Sequence, residues 1–327
     1  MKKNITEFLD LKSTIIAGIK KDGGWVNSHA HFDRAFTLTN KNVWAIGKTL
    51  QEKWFLNDDL KKKSSVNDIY SRMAVGVELM LEQGVQALGS FIDVDEIVQD
   101  KAIRAAQKIR DHYKKEINLR FINQTLKGVI DKKSREWFER GAEFVDIIGG
   151  LPGKDKGREE EHIEIVLETA KKQKKMVHVH VDQLNTSQEK ETELLARKTI
   201  EFGMEGKVVA IHGISIAAHK KHYRQDLYKL IKKARLMFVS CPSAWIDSRR
   251  NENLTVTHNA VTPIDEMVPE EITISLGTDN IYDIYKPFSD GQMWTELRFL
   301  LESCHYYGSE QLVKIGSANG LKILGIK

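Results

Sequence analysis

Little in this chain suggests an extracellular or membrane protein. Two cysteines in 327 residues, Cys241 and Cys304, are too few for a disulfide framework. Cys241 ends an apolar run and reads as buried rather than reactive. No run of about 18 apolar residues occurs, and the first twenty residues hold no apolar core of signal-peptide length, which points to a soluble, cytoplasmic protein with no membrane partner. Charge of one sign is not massed either: 50 basic against 46 acidic residues leave +4, interspersed along the chain, which argues against nucleic-acid binding. The Lys runs at 61–63 and 171–175 read as solvated helix ends or loops. Pro/Gly/Ser-rich linkers are missing too, so nothing divides the chain. With 41% apolar residues it can bury a large core, which excludes disorder.

What is present is alternation. Val- and Ile-rich runs at 25–31, 85–92, 117–125, 144–150, 175–182, 207–214, 235–241 and 272–278 read as eight strands. Between them, apolar residues at spacings of three and four predict helices at 69–83, 95–113, 159–173, 188–202 and 220–234, with Gly84 and Gly203 placed as left-handed C-terminal residues. Repeated strand-helix units of roughly 30 residues predict one (β/α)8 barrel, an α/β TIM barrel forming a single domain over 1–327. An open doubly wound sheet is the alternative. Residues 32–68, the longest interruption, follow the first strand on the face where a barrel carries its active site, and are a candidate lid.

Four distant pieces lie at the ends of these strands: His29-Ala30-His31, His178-Val179-His180, His212 in Val-Ala-Ile-His-Gly, and Asp279 in Leu-Gly-Thr-Asp. Residues i and i+2 of a strand point the same way, so His29 and His31 present two imidazoles to one ion. First- and eighth-strand residues share that ion only if the sheet closes. His178 and His180 share a face, and periodicity does not choose between them.

This pattern resembles the amidohydrolase superfamily, and within it the cytosine deaminase-like branch, over almost the whole chain from His29 to Gly325. The resemblance implies a distorted (β/α)8 barrel holding a metal through His29, His31, His180 and Asp279. It favours His180 because His-Val-Asp-Gln-Leu-Asn (180–185) stands where the branch has His-Cys-Asp-Glu-Ile-Asp. His178 then lies one layer deeper, as a hydrogen-bonded core histidine. His212 matches a histidine that contacts the attacking water or substrate. The fourth run, 144–150, has no lysine to carbamylate and bridge two ions, so one divalent transition metal is expected, Zn²⁺ or Fe²⁺ by its donor set.

Such an ion activates water for attack on carbon attached to nitrogen. Asp279 is then the candidate proton carrier and His212 the group that steadies developing negative charge. Gln124, Arg34, Tyr285 and Trp245, the last with Arg249, are candidate substrate contacts. Gln183 departs from the branch, which has a proton-shuttling glutamate there. An amide orients a ring but transfers no proton at neutral pH, a loss of about 10² to 10⁴ in rate for ring deamination. Glu189 and Glu191 could replace that acid but read as exposed first-turn helix residues.

The expected function is therefore hydrolysis of an amide, cyclic amide or related C–N bond in a small nitrogen-containing substrate. Deamination of a pyrimidine-like ring and a non-catalytic metal- or ligand-binding barrel are the alternatives. Relatives usually carry a small β-sandwich built from segments flanking the barrel. With 28 residues before His29 and an end at Lys327, a bare barrel is expected, its uncovered surface open to solvent unless the chain forms a homo-oligomer.

Overall fold

The computed structural model describes residues 9–245 and 261–326. Within them lies one eight-stranded sheet whose order follows the chain. Its strands are β1 (Trp25–Ala30), β2 (Val85–Asp93), β3 (Asn118–Gln124), β4 (Ile147–Gly150), β5 (Met176–Val181), β6 (Val208–His212), β7 (Met237–Ser240) and β8 (Ile274–Leu276). All neighbours pair in parallel. Every anticipated strand is present, with ends displaced by at most three residues.

The sheet closes between β8 and β1. The Asp279 amide donates to the His29 carbonyl at 3.0 Å, and Ala30 bridges to Asp279 in parallel. The Asn27 side chain clasps the same seam, its Nδ2 donating to Thr278 Oγ1 at 2.9 Å and its Oδ1 accepting from the Thr278 amide at 3.2 Å. The open doubly wound alternative is thereby ruled out, and the fold is a (β/α)8 barrel.

Strands covered on both faces read as continuous apolar runs rather than alternating ones. That is why Val208–His212 and Ile274–Leu276 are buried throughout. The outer faces pack on helices such as Glu159–Gln173, which contributes Ile163, Val166 and Ala170 to the main core. At the end of the barrel opposite the site, Leu324 packs on Val26, Ala87, Ile122 and Ile147, and Ile323 on Val209, Met237 and Val239. The last turn of the chain thus plugs that end.

Helix starts deviate from the periodicity where side chains capture the first amides. The second anticipated helix begins at Lys101 because Asp95 Oδ1 accepts from the Ile97 and Val98 amides in a preceding turn. The helix expected from 188 begins at Glu191, its first two amides donating to Asp182 at 2.8 and 3.2 Å. Gly84 and Gly203 have φ of 75° and 64°, the left-handed conformation expected of them.

After β1 the chain forms a short 3₁₀ turn, Val43–Gly47, and the helix Leu50–Lys63, which opens with a Thr49/Glu52 capping box. Lys61 corrects the reading of its run as solvated. Its ammonium is buried 2.5 Å from Asp95 Oδ2 and 3.2 Å from Asp93 Oδ2, while Lys62 and Lys63 are exposed. Among the described residues no helix is long and apolar enough to cross a membrane.

Candidate metal centre and active site

Strand ends place the five expected residues together. The potential ligand atoms of His29, His31 and Asp279 lie within 4.8 Å of one another, as do those of His29, His180 and His212. Asp279 Oδ1 is 3.2 Å from His31 Nε2 and 3.4 Å from His29 Nε2. The His29 ring centroid lies 5.0 Å from that of His180 and 5.5 Å from that of His212. Phe91, near the end of β2, packs its ring 4.7 to 5.4 Å from those of His29, His31 and His180. His178 stands apart, its Nε2 3.0 Å from the Ile323 carbonyl, as a hydrogen-bonded core histidine.

Burial keeps the His31, His180 and His212 imidazoles neutral. It pushes His212 down to about 3, and takes His31 and His180 well below the usual histidine range. Neutral imidazole has the lone pair that a cation needs. Burial acts on Asp279 in the opposite sense, but the His29 and His31 rings beside it hold its carboxyl well below the usual carboxylate range.

Both ring nitrogens of His29 are buried without a hydrogen bond, Nε2 having only its 3.4 Å approach to Asp279, and His31 Nδ1 is likewise unpartnered. Buried polar atoms are almost always satisfied, so this cluster of imidazole nitrogens around one carboxylate fits a divalent cation. His180 Nδ1 lies 3.4 Å from the Gly150 carbonyl, an orientation that leaves Nε2 for the cluster.

The backbone bends sharply to bring these groups in. His212 and Asp279 have φ of 74° and 57°, left-handed values that cost non-glycine residues roughly 1–3 kcal/mol each and persist where surrounding contacts enforce them. Thr262 Oγ1 donates to the His212 carbonyl at 2.6 Å, and the Asp279 amide is held by His29. Gly277 allows the close approach of β8 to β1, since a Cβ there would lie 2.7 Å from His29 Cβ and 2.9 Å from its carbonyl oxygen. Gly277→Ala is therefore expected to destabilise the fold by about 1–3 kcal/mol, the usual cost of overpacking. Chemical denaturation checks this, and a native-like midpoint would show that the seam yields.

The remaining candidates fall in different places. Gln124 ends β3, buried, with Oε1 lacking a hydrogen-bond partner. Gln183 is half-buried on the loop after β5. Arg34 is buried, its Nη1 3.0 Å from Asp93 Oδ1 and its guanidinium 5.2 Å from the Tyr285 ring centroid. Tyr285 donates from its hydroxyl to the Lys53 carbonyl at 3.1 Å, tying the β8 loop to the helix Leu50–Lys63. Trp245 ends the short helix Pro242–Trp245; its side chain and Arg249 lie outside the described residues.

Glu189 and Glu191 are not exposed, which corrects the sequence reading. Both are half-buried, and burial pushes the Glu189 carboxyl up to about 7 and that of Glu191 well above its usual value. Glu189 also precedes the helix rather than lying in its first turn. Sequence reasoning missed Asn27, Phe91 and Thr262. Only Asn27 left a signal, two residues before His29 on the same strand face.

Comparison with known proteins supports the same picture. An uncharacterised protein of Haemophilus influenzae is 53% identical over 274 residues, covering 83% of this chain and 98% of that protein. N-isopropylammelide isopropyl amidohydrolase of a Pseudomonas species is 22% identical over 297 residues, 88% of this chain and 69% of that protein. The crystal structure of Klebsiella pneumoniae 5-methylcytosine deaminase with 5-fluorocytosine superimposes with a TM-score of 0.83 at 22% identity, covering 92% of this chain and 74% of that one. The amidohydrolase family model matches residues 23–327, from just before β1 through the turn that plugs the barrel. With that match spanning every strand whose end contributes to the cluster, the chain belongs to the amidohydrolase family.

Proposed function

We propose that the protein is a mononuclear metal-dependent hydrolase of a carbon–nitrogen bond, of amide, cyclic amide or related type, in a small nitrogen compound. The observation that carries this reading is the buried cluster of imidazoles around Asp279, in which His29 Nδ1 and Nε2 and His31 Nδ1 have no hydrogen bond. His29, His31, His180 and Asp279 would hold one ion, and Zn²⁺ or Fe²⁺ suits three imidazoles and a carboxylate. β4, Ile147–Gly150, contains no lysine for a second ion.

When bound, the ion supplies activation of water at neutral pH. Asp279 accepts a proton on the carboxylate oxygen not turned to the ion and returns it to the leaving nitrogen. Neutral His212 donates a hydrogen bond to oxygen as negative charge develops there. Gln124 and Gln183 orient the substrate, and the helix Leu50–Lys63 covers the site. Arg34 and Tyr285, stacked on one another, back the substrate contacts from within the barrel mouth.

One ion per chain is expected after mild purification or on adding Zn²⁺ or Fe²⁺, with His31→Ala weakening its retention. Elemental analysis, with anomalous diffraction to locate the ion, checks both. Failure to take up either ion, or density away from these four residues, would overturn the assignment. A panel of amides, cyclic amides and amino-substituted rings tests the reaction. Ammonia release from a ring would favour a second reading, deamination, which the unpartnered Gln124 Oε1 suits as acceptor for a ring N–H. The relative named for 5-methylcytosine supports that second reading, and the one named for N-isopropylammelide supports C–N cleavage more generally.

A further inference from the structure

The loop that follows β5 is pinned in an unusual way. Asp182 and Asn185 both have φ of 54°, so the backbone turns through left-handed conformations on either side of Gln183. Glu191 Oε2 accepts from the Asp182 amide at 3.0 Å, and Asp182 accepts in return from the amides of Glu191 and Thr192. Glu189 Oε2 accepts from the Leu184 amide at 2.7 Å and from Ser215 Oγ at 2.6 Å. Ser215 Oγ accepts from the Thr186 amide at 3.2 Å, and the Ser215 amide donates to the Asp182 carbonyl at 3.2 Å. Ser215 stands three residues beyond His212, so the same bonds join the loops that follow β5 and β6.

Starting the helix at Glu191 requires only Asp182. Two further carboxyls gathered here, against both burial and mutual repulsion, exceed what helix capping asks for. What they share is the residue between their partners: the amides before and after Gln183 each end on one of them.

We propose that Glu189 and Glu191 are positioning residues that hold Gln183 against the substrate by fixing the amides of Asp182 and Leu184, with Ser215 coupling this hold to the His212 turn. The inference rests on the proposed role of Gln183 as a substrate contact. It assigns the two glutamates no proton transfer; their part is to hold the Leu184 and Asp182 amides.

Hydrogen exchange and kinetics on the zinc-loaded full chain test it. In Glu189→Ala the Leu184 amide is expected to lose protection by about tenfold or more, whereas Glu189→Gln keeps an acceptor oxygen and retains it. Glu189→Met, of similar length without an acceptor, replaces alanine if that variant does not fold. On the substrate found by the panel, kcat/KM is expected to fall on the order of tenfold in Glu189→Ala and to recover in Glu189→Gln. In a Gln183→Ala background the same change is expected to cost nothing further.

Unchanged Leu184 protection in Glu189→Ala would overturn the proposal. An equal loss of kcat/KM in both backgrounds would do the same, since it would mark general structural damage. Loss of zinc from Glu189→Ala would overturn it by showing that the bonds support the metal-holding strand ends rather than Gln183. If the wild-type protein turns over nothing on the panel, the hydrolase reading fails, while the exchange result still decides whether the clamp exists.

Discussion

Replacing Asp279 with asparagine is expected to lower turnover by about 10² to 10⁴-fold while a measurable share of the metal stays bound. Three buried imidazoles remain to hold the ion, and the amide occupies nearly the volume of the carboxylate, so the β1–β8 seam keeps its shape. What disappears is the one carboxylate in the cluster, 3.2 Å from His31 Nε2, to which the proposed mechanism gives the proton transfer. Its own backbone sustains that position: the Asp279 amide donates to His29, and Asn27 holds the preceding Thr278. Metal content and kcat measured side by side check the expectation. Near-native turnover in the variant would show that the proton travels by another route.

Gln183→Glu is expected to create or raise deamination of cytosine-type rings, by up to about 10² to 10⁴-fold, with the native reaction unchanged or weakened. A carboxyl at 183 takes a proton and passes it to a ring nitrogen, a transfer the amide cannot make. Its surroundings favour the acid form, since Asp182, Glu189 and Glu191 already crowd the loop and like charges raise a carboxyl's pKa. Ammonia release should be followed for both proteins over a pH series with cytosine, isocytosine and related rings. If the native protein deaminates such a ring at a rate typical of enzymes and the variant is no faster, Gln183 has not redirected the chemistry.

The amino-acid sequence by itself determined the eight strands, five of the helices that pack on them and which residue types stand at the strand ends. A strand buried on both faces must be a continuous apolar run, and a helix on its surface must repeat at three and four. Those are local patterns, and His29, His31, His180, His212 and Asp279 could be picked out because each ends such a run. Tertiary structure alone decided the rest. Closure of the sheet depends on Asn27 meeting Thr278, 251 residues away, and on Gly277 leaving room for His29. Periodicity left His178 and His180 equivalent and only the motif at 180–185 favoured the latter; the partner that occupies the deeper ring, the Ile323 carbonyl, comes from the far end of the chain. Lys61 sits in a lysine run that looks solvated, and is buried because Asp93 and Asp95 from another strand's end come to meet it. Glu189 and Glu191 look like ordinary surface acids until the β5 loop folds back and offers them the amides of Asp182 and Leu184. In each case the deciding partner is set by how the chain folds, and spacing along the sequence carries no record of it.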